Sequence, residues 1–84
     1  MRKSIHTPDQ NRYCDLLRQI RHDAGLTQMQ LAEMLGTPHS RISDYERGER
    51  RMDLLQLRDY LKPLGLSLTD FVKRFESLDS PATT

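Results

Sequence analysis

The chain is expected to fold as one compact all-α domain of five short helices. Apolar residues recur at helical spacing along most of it, β-branched residues are sparse, and the apolar stripes are bracketed by cap signals and by glycine or proline. No stretch alternates apolar and polar residues long enough for a half-buried strand. Its 84 residues supply a single small core and exclude a two-layer enzyme with a deep cleft. With 36% hydrophobic and 30% charged residues, the composition is that of a globular chain rather than a disordered one.

The first helix should open at TPDQ, where Thr7 caps, Pro8 takes the first helical position and Gln10 closes a capping box. Tyr13, Leu16, Leu17, Ile20 and Ala24 then form one stripe, and Gly25 ends the helix. A second box, Thr27 to Gln30, starts a short helix that turns Leu31, Ala32 and Leu35 inward and stops at Gly36. Thr37-Pro38 reads as cap and first residue of a third helix, with Ile42 and Tyr45 on its buried side and Gly48 as its stop. Asp53 caps a fourth helix along which Leu54, Leu57, Leu61 and Leu64 keep the helical period. Pro63 falls inside that helix, where it removes the backbone bond to Asp59 and should kink or shorten the last turn. Ser67 and Asp70 box the fifth helix, which carries Leu68, Phe71, Val72, Phe75 and Leu78 on one side. The expected division is an N-terminal arm over residues 1–6, the domain over 7–78 and a flexible tail over 79–84.

Several function classes fall away on composition. No apolar run approaches the roughly 18–20 residues of a membrane span, and no targeting h-region follows the N-terminal basic residues, so the expected location is cytoplasmic. The lone Cys14 excludes an internal disulfide, and His6, His22 and His39 share no metal-ligand spacing with it, so neither metal nor cofactor is expected. Asp15, His22 and Asp23 lie on adjacent turns of one polar helix face and read as solvated surface; nothing resembles a nucleophile elbow or a phosphate loop, so no enzyme is expected. A net charge of only +1 means that a nucleic-acid partner would require the basic residues to be sorted onto one face.

The second and third helices are separated only by Gly36 and Thr37, the tight connection of a helix-turn-helix. Ile42 and Tyr45 tie the third helix down by its middle and far end. Its first turn, with His39, Ser40 and Arg41, is left projecting, and that is the part of a recognition helix that meets base edges in the major groove.

The combined elements Gly25-Leu26-Thr27-Gln28, Leu31-Ala32, Leu35-Gly36, Ile42, Tyr45-Glu46-x-Gly48 and Leu64-Gly65-x-Ser67-Leu68 resemble the helix-turn-helix family of phage repressor and Cro proteins, the xenobiotic-response-element family. The resemblance spans roughly Tyr13 to Phe75 and implies a lambda-repressor-like fold in a dimeric, sequence-specific regulator of double-stranded DNA. It implies that Gln28 holds a phosphate and braces the recognition helix, and that His39 and Ser40 read bases. Arg41 and Asp44 lie further along the same face, while Arg47, Arg50 and Arg51 stand where backbone contacts sit. Pro38 departs from the family pattern, which leaves Thr37 as the cap; Thr37 is also counted among the residues expected to contact DNA. Asp44 departs too: an acid facing DNA is penalised unless it accepts from a cytosine amino group or is neutralised by Arg41 one turn earlier. The resemblance further implies an ion pair between Arg21 and Glu46.

Two readings stay open. One is a transcriptional regulator, a repressor, bound as a homodimer to an inverted-repeat operator. The other is an antitoxin or adaptor of the same fold whose partner is a toxin or other protein, a reading fed by Asp44 and by the near-neutral charge; Glu46 and Glu49, interleaved with Arg47, Arg50 and Arg51, favour reading those arginines as an ordinary charged loop. For the homodimer, Leu64, Leu68, Phe71, Val72 and Phe75 make a stripe wider than docking of a short terminal helix requires, with Leu55 a further apolar residue. The alternative is that Phe71 and Phe75 only close the monomer core.

Overall fold

Polar side chains cap four of the five helices in the computed structural model, which describes residues 7–79 and side chains up to residue 77. The expected arm (residues 1–6), the tail beyond residue 79 and the side chain of Leu78 lie outside the described residues. Helix α1 spans Pro8–Asp23, α2 Gln28–Leu35, α3 His39–Arg47, α4 Leu54–Leu61 and α5 Leu68–Asp79, with a 3-10 turn at Lys62–Leu64 and no strand among the described residues. Thr7 Oγ1 accepts from Gln10 N at 3.0 Å, but the Gln10 amide turns to Cys14 Sγ rather than completing a box. Complete boxes form at Thr27/Gln30 and Asp53/Gln56, and Ser67 and Asp70 exchange the same pair of bonds at α5.

Two expectations at helix ends need correction. Ala24 is the exposed C-cap of α1 rather than part of its buried stripe, because the chain leaves the helix through Gly25. At α3 the N-cap is Pro38, in extended conformation and without a side-chain cap bond, so Thr37 does not cap this helix. Its backbone N–H instead closes α2 onto Ala32 O at 3.0 Å, and its hydroxyl is buried without a hydrogen-bond partner among the described residues. A connection this short leaves Thr37 fixed by the end of α2 and unable to serve the start of α3. The left-handed Gly36, at φ +67°, is what lets the chain turn so tightly.

α3 packs against α2 and α1, and α5 packs against α1 and α4. The core joins Leu16, Leu17 and Ile20 of α1 to Leu31 and Ala32 of α2, to Ile42 and Tyr45 of α3, to Leu57, Tyr60 and Leu61 of α4 and to Phe71 of α5. Edge-to-face pairs at Tyr45–Tyr60 and Tyr13–Phe71, with ring centroids 6.2 and 5.8 Å apart, hold α3 to α4 and α1 to α5. Pro63 acts as its chemistry requires: α4 stops at Leu61 and the chain continues as the 3-10 turn. Leu54 does not join the core. As the first residue of α4 it projects beyond the edge of the packed face and is 64% exposed, beside a groove lined by Tyr13, Met52, Leu57 and Phe75.

Candidate nucleic-acid interface

The position of α3 is fixed from three sides. Ile42 and Tyr45 bury its inner face, and Glu46, in its last turn, is bound by side chains of α1, α2 and α4. Arg21 of α1 grips the Glu46 carboxylate with two parallel bonds, Nε to Oε2 at 2.7 Å and Nη2 to Oε1 at 3.0 Å. The two side chains are only 9% and 1% exposed. Arg21 Nη1 donates to Leu26 O at 2.9 Å, which ties the α1–α2 connection into the same cluster. Gln28 Nε2 donates to Glu46 Oε1 at 2.9 Å, and the Tyr60 hydroxyl donates to Oε2 at 3.1 Å. Every oxygen of the buried carboxylate is thus doubly satisfied, the condition under which a buried ion pair can hold an element in place.

Two members of this cluster were not singled out from the sequence. Arg18 Nη1 donates to Glu46 O at 2.6 Å, placing a cation on the C-terminal carbonyls of α3, and Arg18 also pairs with Asp15. It lies one turn before Arg21, so a reading that sends Arg21 toward α3 could have sent Arg18 with it. Tyr60 is the other: its ring is buried in the core, and a buried hydroxyl demands a polar partner, which it finds in Glu46.

Burial alone would raise the Glu46 carboxyl, but hydrogen bonds from Arg21 and Gln28, the Arg21 charge and the Tyr60 hydroxyl outweigh it and hold the group below its ordinary 4.5. The bond to Glu46 raises Arg21 in turn, against its own burial. The pH dependence of stability follows in sign. Between the lowered folded value and 4.5 the unfolded chain binds more protons, so this contribution is complete above pH 4.5 and is lost as pH falls through the folded value. Urea midpoints followed from neutral pH downward should decline below that point, and Glu46→Gln should remove part of the decline; a midpoint indifferent to acid would contradict the assignment.

From this anchored end, α3 runs outward to an exposed first turn. His39 and Ser40 are exposed and Arg41 is half-buried. His39 Nε2 lies 3.0 Å from Gln28 Oε1, so Gln28 bridges the buried carboxylate and the exposed imidazole. Asp44 is not neutralised by Arg41. Its partner is Arg47, with Nη2 2.6 Å from Oδ1, and Arg47 Nη1 also donates to Ser43 Oγ. Arg41 lines a recess with Leu35, Tyr45, Gln56 and Asp59. Arg41, Arg50 and Arg51 make no ion pair among the described residues. Thr37 sits half-buried in the turn ahead of this edge.

The expected dimer surface divides. Phe71 is 3% exposed and belongs to the core of the single chain. Leu64, Leu68 and Phe75 are half-buried against that core, and Val72 is 49% exposed. Cys14 is buried, its thiol raised chiefly by burial and directed at Tyr45 O, 3.6 Å away. No helix among the described residues is long and apolar enough to cross a membrane.

Two helices joined by a three-residue turn, the second anchored by its far end and offering a polar first turn, constitute a helix-turn-helix module. A family model described as a helix-turn-helix domain matches residues 12–71, and the chain belongs to that family. It is similar to the HTH-type transcriptional regulator PuuR of Escherichia coli (strain K12), 38% identical over 65 residues, and equally to PuuR of Shigella flexneri. The match covers 77% of this chain and 35% of each relative, so the chain spans about a third of their length. Among solved structures, an XRE-family like protein from Pseudomonas syringae pv. tomato str. DC3000 superposes with a TM-score of 0.76 at 32% identity, over 86% of this chain and 88% of that one. The domain is therefore of the XRE and Cro type, a DNA-binding fold and not an enzyme family.

Proposed function

We propose that this chain is a sequence-specific, DNA-binding transcriptional regulator, a repressor, that sets α3 in the major groove. The observation that carries this reading is the polar first turn of a helix immobilised at its other end, with cations at Arg41, Arg50 and Arg51 left without protein partners among the described residues. His39 and Ser40 meet base edges; Arg50 and Arg51, in the loop after α3, hold phosphates. Arg47 contributes less, since Asp44 and Ser43 already occupy its guanidinium. Gln28 braces α3 through Glu46 and His39, and its second amide hydrogen is left for a phosphate. The E. coli relative's name, a transcriptional regulator, agrees with this role.

One recognition helix reads only a few base pairs, so the chain acts as a homodimer on an inverted repeat, with two α3 helices about 34 Å apart. Val72 and the exposed parts of Leu64, Leu68 and Phe75 supply the apolar contact. The competing reading, an antitoxin or adaptor serving a protein partner, drew on Asp44 as an acid on the reading face. Its charge is engaged by Arg47, which weakens that argument.

Selection from a random-sequence duplex library at two salt concentrations tests the function, and an inverted repeat should be enriched. Arg50→Ala and Arg51→Ala should weaken binding to all sequences alike and lower the salt slope by about one unit each, while Arg47→Ala changes it less. An adaptor would enrich nothing, and unchanged slopes would refute the phosphate assignment.

A further inference from the structure

The chain of bonds from Glu46 to His39 has a fixed direction. An ionised carboxylate can only accept, so the Gln28 group bound to Glu46 Oε1 must be its NH2, and the group facing His39 must be its carbonyl oxygen. A carbonyl oxygen can only accept as well. His39 Nε2, 3.0 Å away, therefore carries a hydrogen and donates it. In the neutral ring the hydrogen on Nε2 leaves Nδ1 as a bare acceptor. No partner for Nδ1 exists among the described residues, and the side chain is exposed.

We infer that the buried Glu46, acting through Gln28, sets His39 as an acceptor toward DNA, so that Nδ1 selects a base-edge amino group, adenine N6 or cytosine N4. Those are the only major-groove donors; guanine presents N7 and O6, and thymine O4, all acceptors. The inference rests on the DNA-reading role proposed above and deepens it by naming the class of base edge. It also gives Gln28 a task beyond bracing α3: as a positioning residue it transmits the polarity of a buried carboxylate to an exposed ring.

Two measurements test it. Long-range proton–nitrogen correlation spectra of the histidine rings, taken on the free protein at mildly alkaline pH, should show His39 held as the Nε2–H form. His22, exposed and without a side-chain partner among the described residues, is the reference for an unconstrained tautomer mixture. Gln28→Ala should move His39 toward the His22 pattern, a change that a merely structural role for Gln28 would not produce. An Nδ1–H form, or a mixture unaffected by Gln28→Ala, would overturn the inference. The second measurement is base preference at the position that His39 variants alter. Wild type and the acceptor-only His39→Glu should favour adenine or cytosine there, and the donor-only His39→Lys should shift preference to guanine or thymine by roughly tenfold. A wild-type preference for guanine or thymine would overturn the assignment even with the tautomer held. Enrichment of no sequence at all, with the tautomer held, would refute the DNA-reading role on which the inference stands.

Discussion

Replacing Glu46 by Ala is expected to destabilise the domain by about 3–5 kcal/mol, because it strands a buried cation rather than removing one contact. Arg21 would keep Nε and Nη2 pointing into a site without an acceptor, while the Tyr60 hydroxyl and the Gln28 amide would each lose their partner. A chain of this size has roughly 4–13 kcal/mol of total stability, so the change takes a large part of it. Arg21→Ala should cost a similar amount for the converse reason, and the double substitution less than the sum, since neither charge is then left alone. Tyr60→Phe removes only one bond to a charged acceptor and should cost about 1.5–3 kcal/mol. Urea unfolding read by circular dichroism measures all four. A Glu46→Ala domain within 1 kcal/mol of the parent would show that the cluster does not hold α3.

Phe71→Ala should also cost about 3–5 kcal/mol, and the loss should be independent of protein concentration. The ring is nearly fully buried and stacks edge-on with Tyr13, so truncation opens a cavity inside one copy of the chain. Val72 gives the contrast. It lies one residue on along α5 and is exposed, so Val72→Glu should leave dilute-solution stability within about 0.5 kcal/mol. If the homodimer uses this face, Val72→Glu should weaken association in sedimentation equilibrium. Thermal unfolding of the Phe71→Ala chain across a range of concentrations checks the division: a midpoint that rises with concentration back to the parental value would return Phe71 to the interface.

The sequence was most informative where a local rule has a single outcome. Gly25, Gly36 and Gly48 follow helix ends in the left-handed conformation that glycine adopts without a Cβ clash, and the Pro63 ring, which lacks an N–H and clashes with the preceding turn, stops α4. The polar leading edge of α3 was legible for a similar reason, since the spacing of Ile42 and Tyr45 leaves His39 and Ser40 outside. Where two local outcomes were equally allowed, packing decided. Asp44 has an arginine one turn away on either side, and it pairs with Arg47 while Arg41 lines a recess with residues of α4. The α5 stripe could face a core or a second chain, and α1 claims Phe71 through Tyr13. Thr37 could cap α3 until the end of α2 took its backbone. The link from Glu46 to His39 depends on side chains 18 and 11 residues apart meeting at Gln28, and no period or motif encodes that.

The central claim is that the first turn of α3 reads DNA and that the loop after α3 only holds it. Its most direct test repeats the library selection with three chains: the parent, Ser40→Ala and Arg50→Ala. The parent and Arg50→Ala should enrich the same inverted repeat, the second with weaker binding throughout. Ser40→Ala should lose preference at one position in each half-site and keep the parental salt slope. An identical motif from the parent and Ser40→Ala, or a motif altered by Arg50→Ala, would contradict the claim.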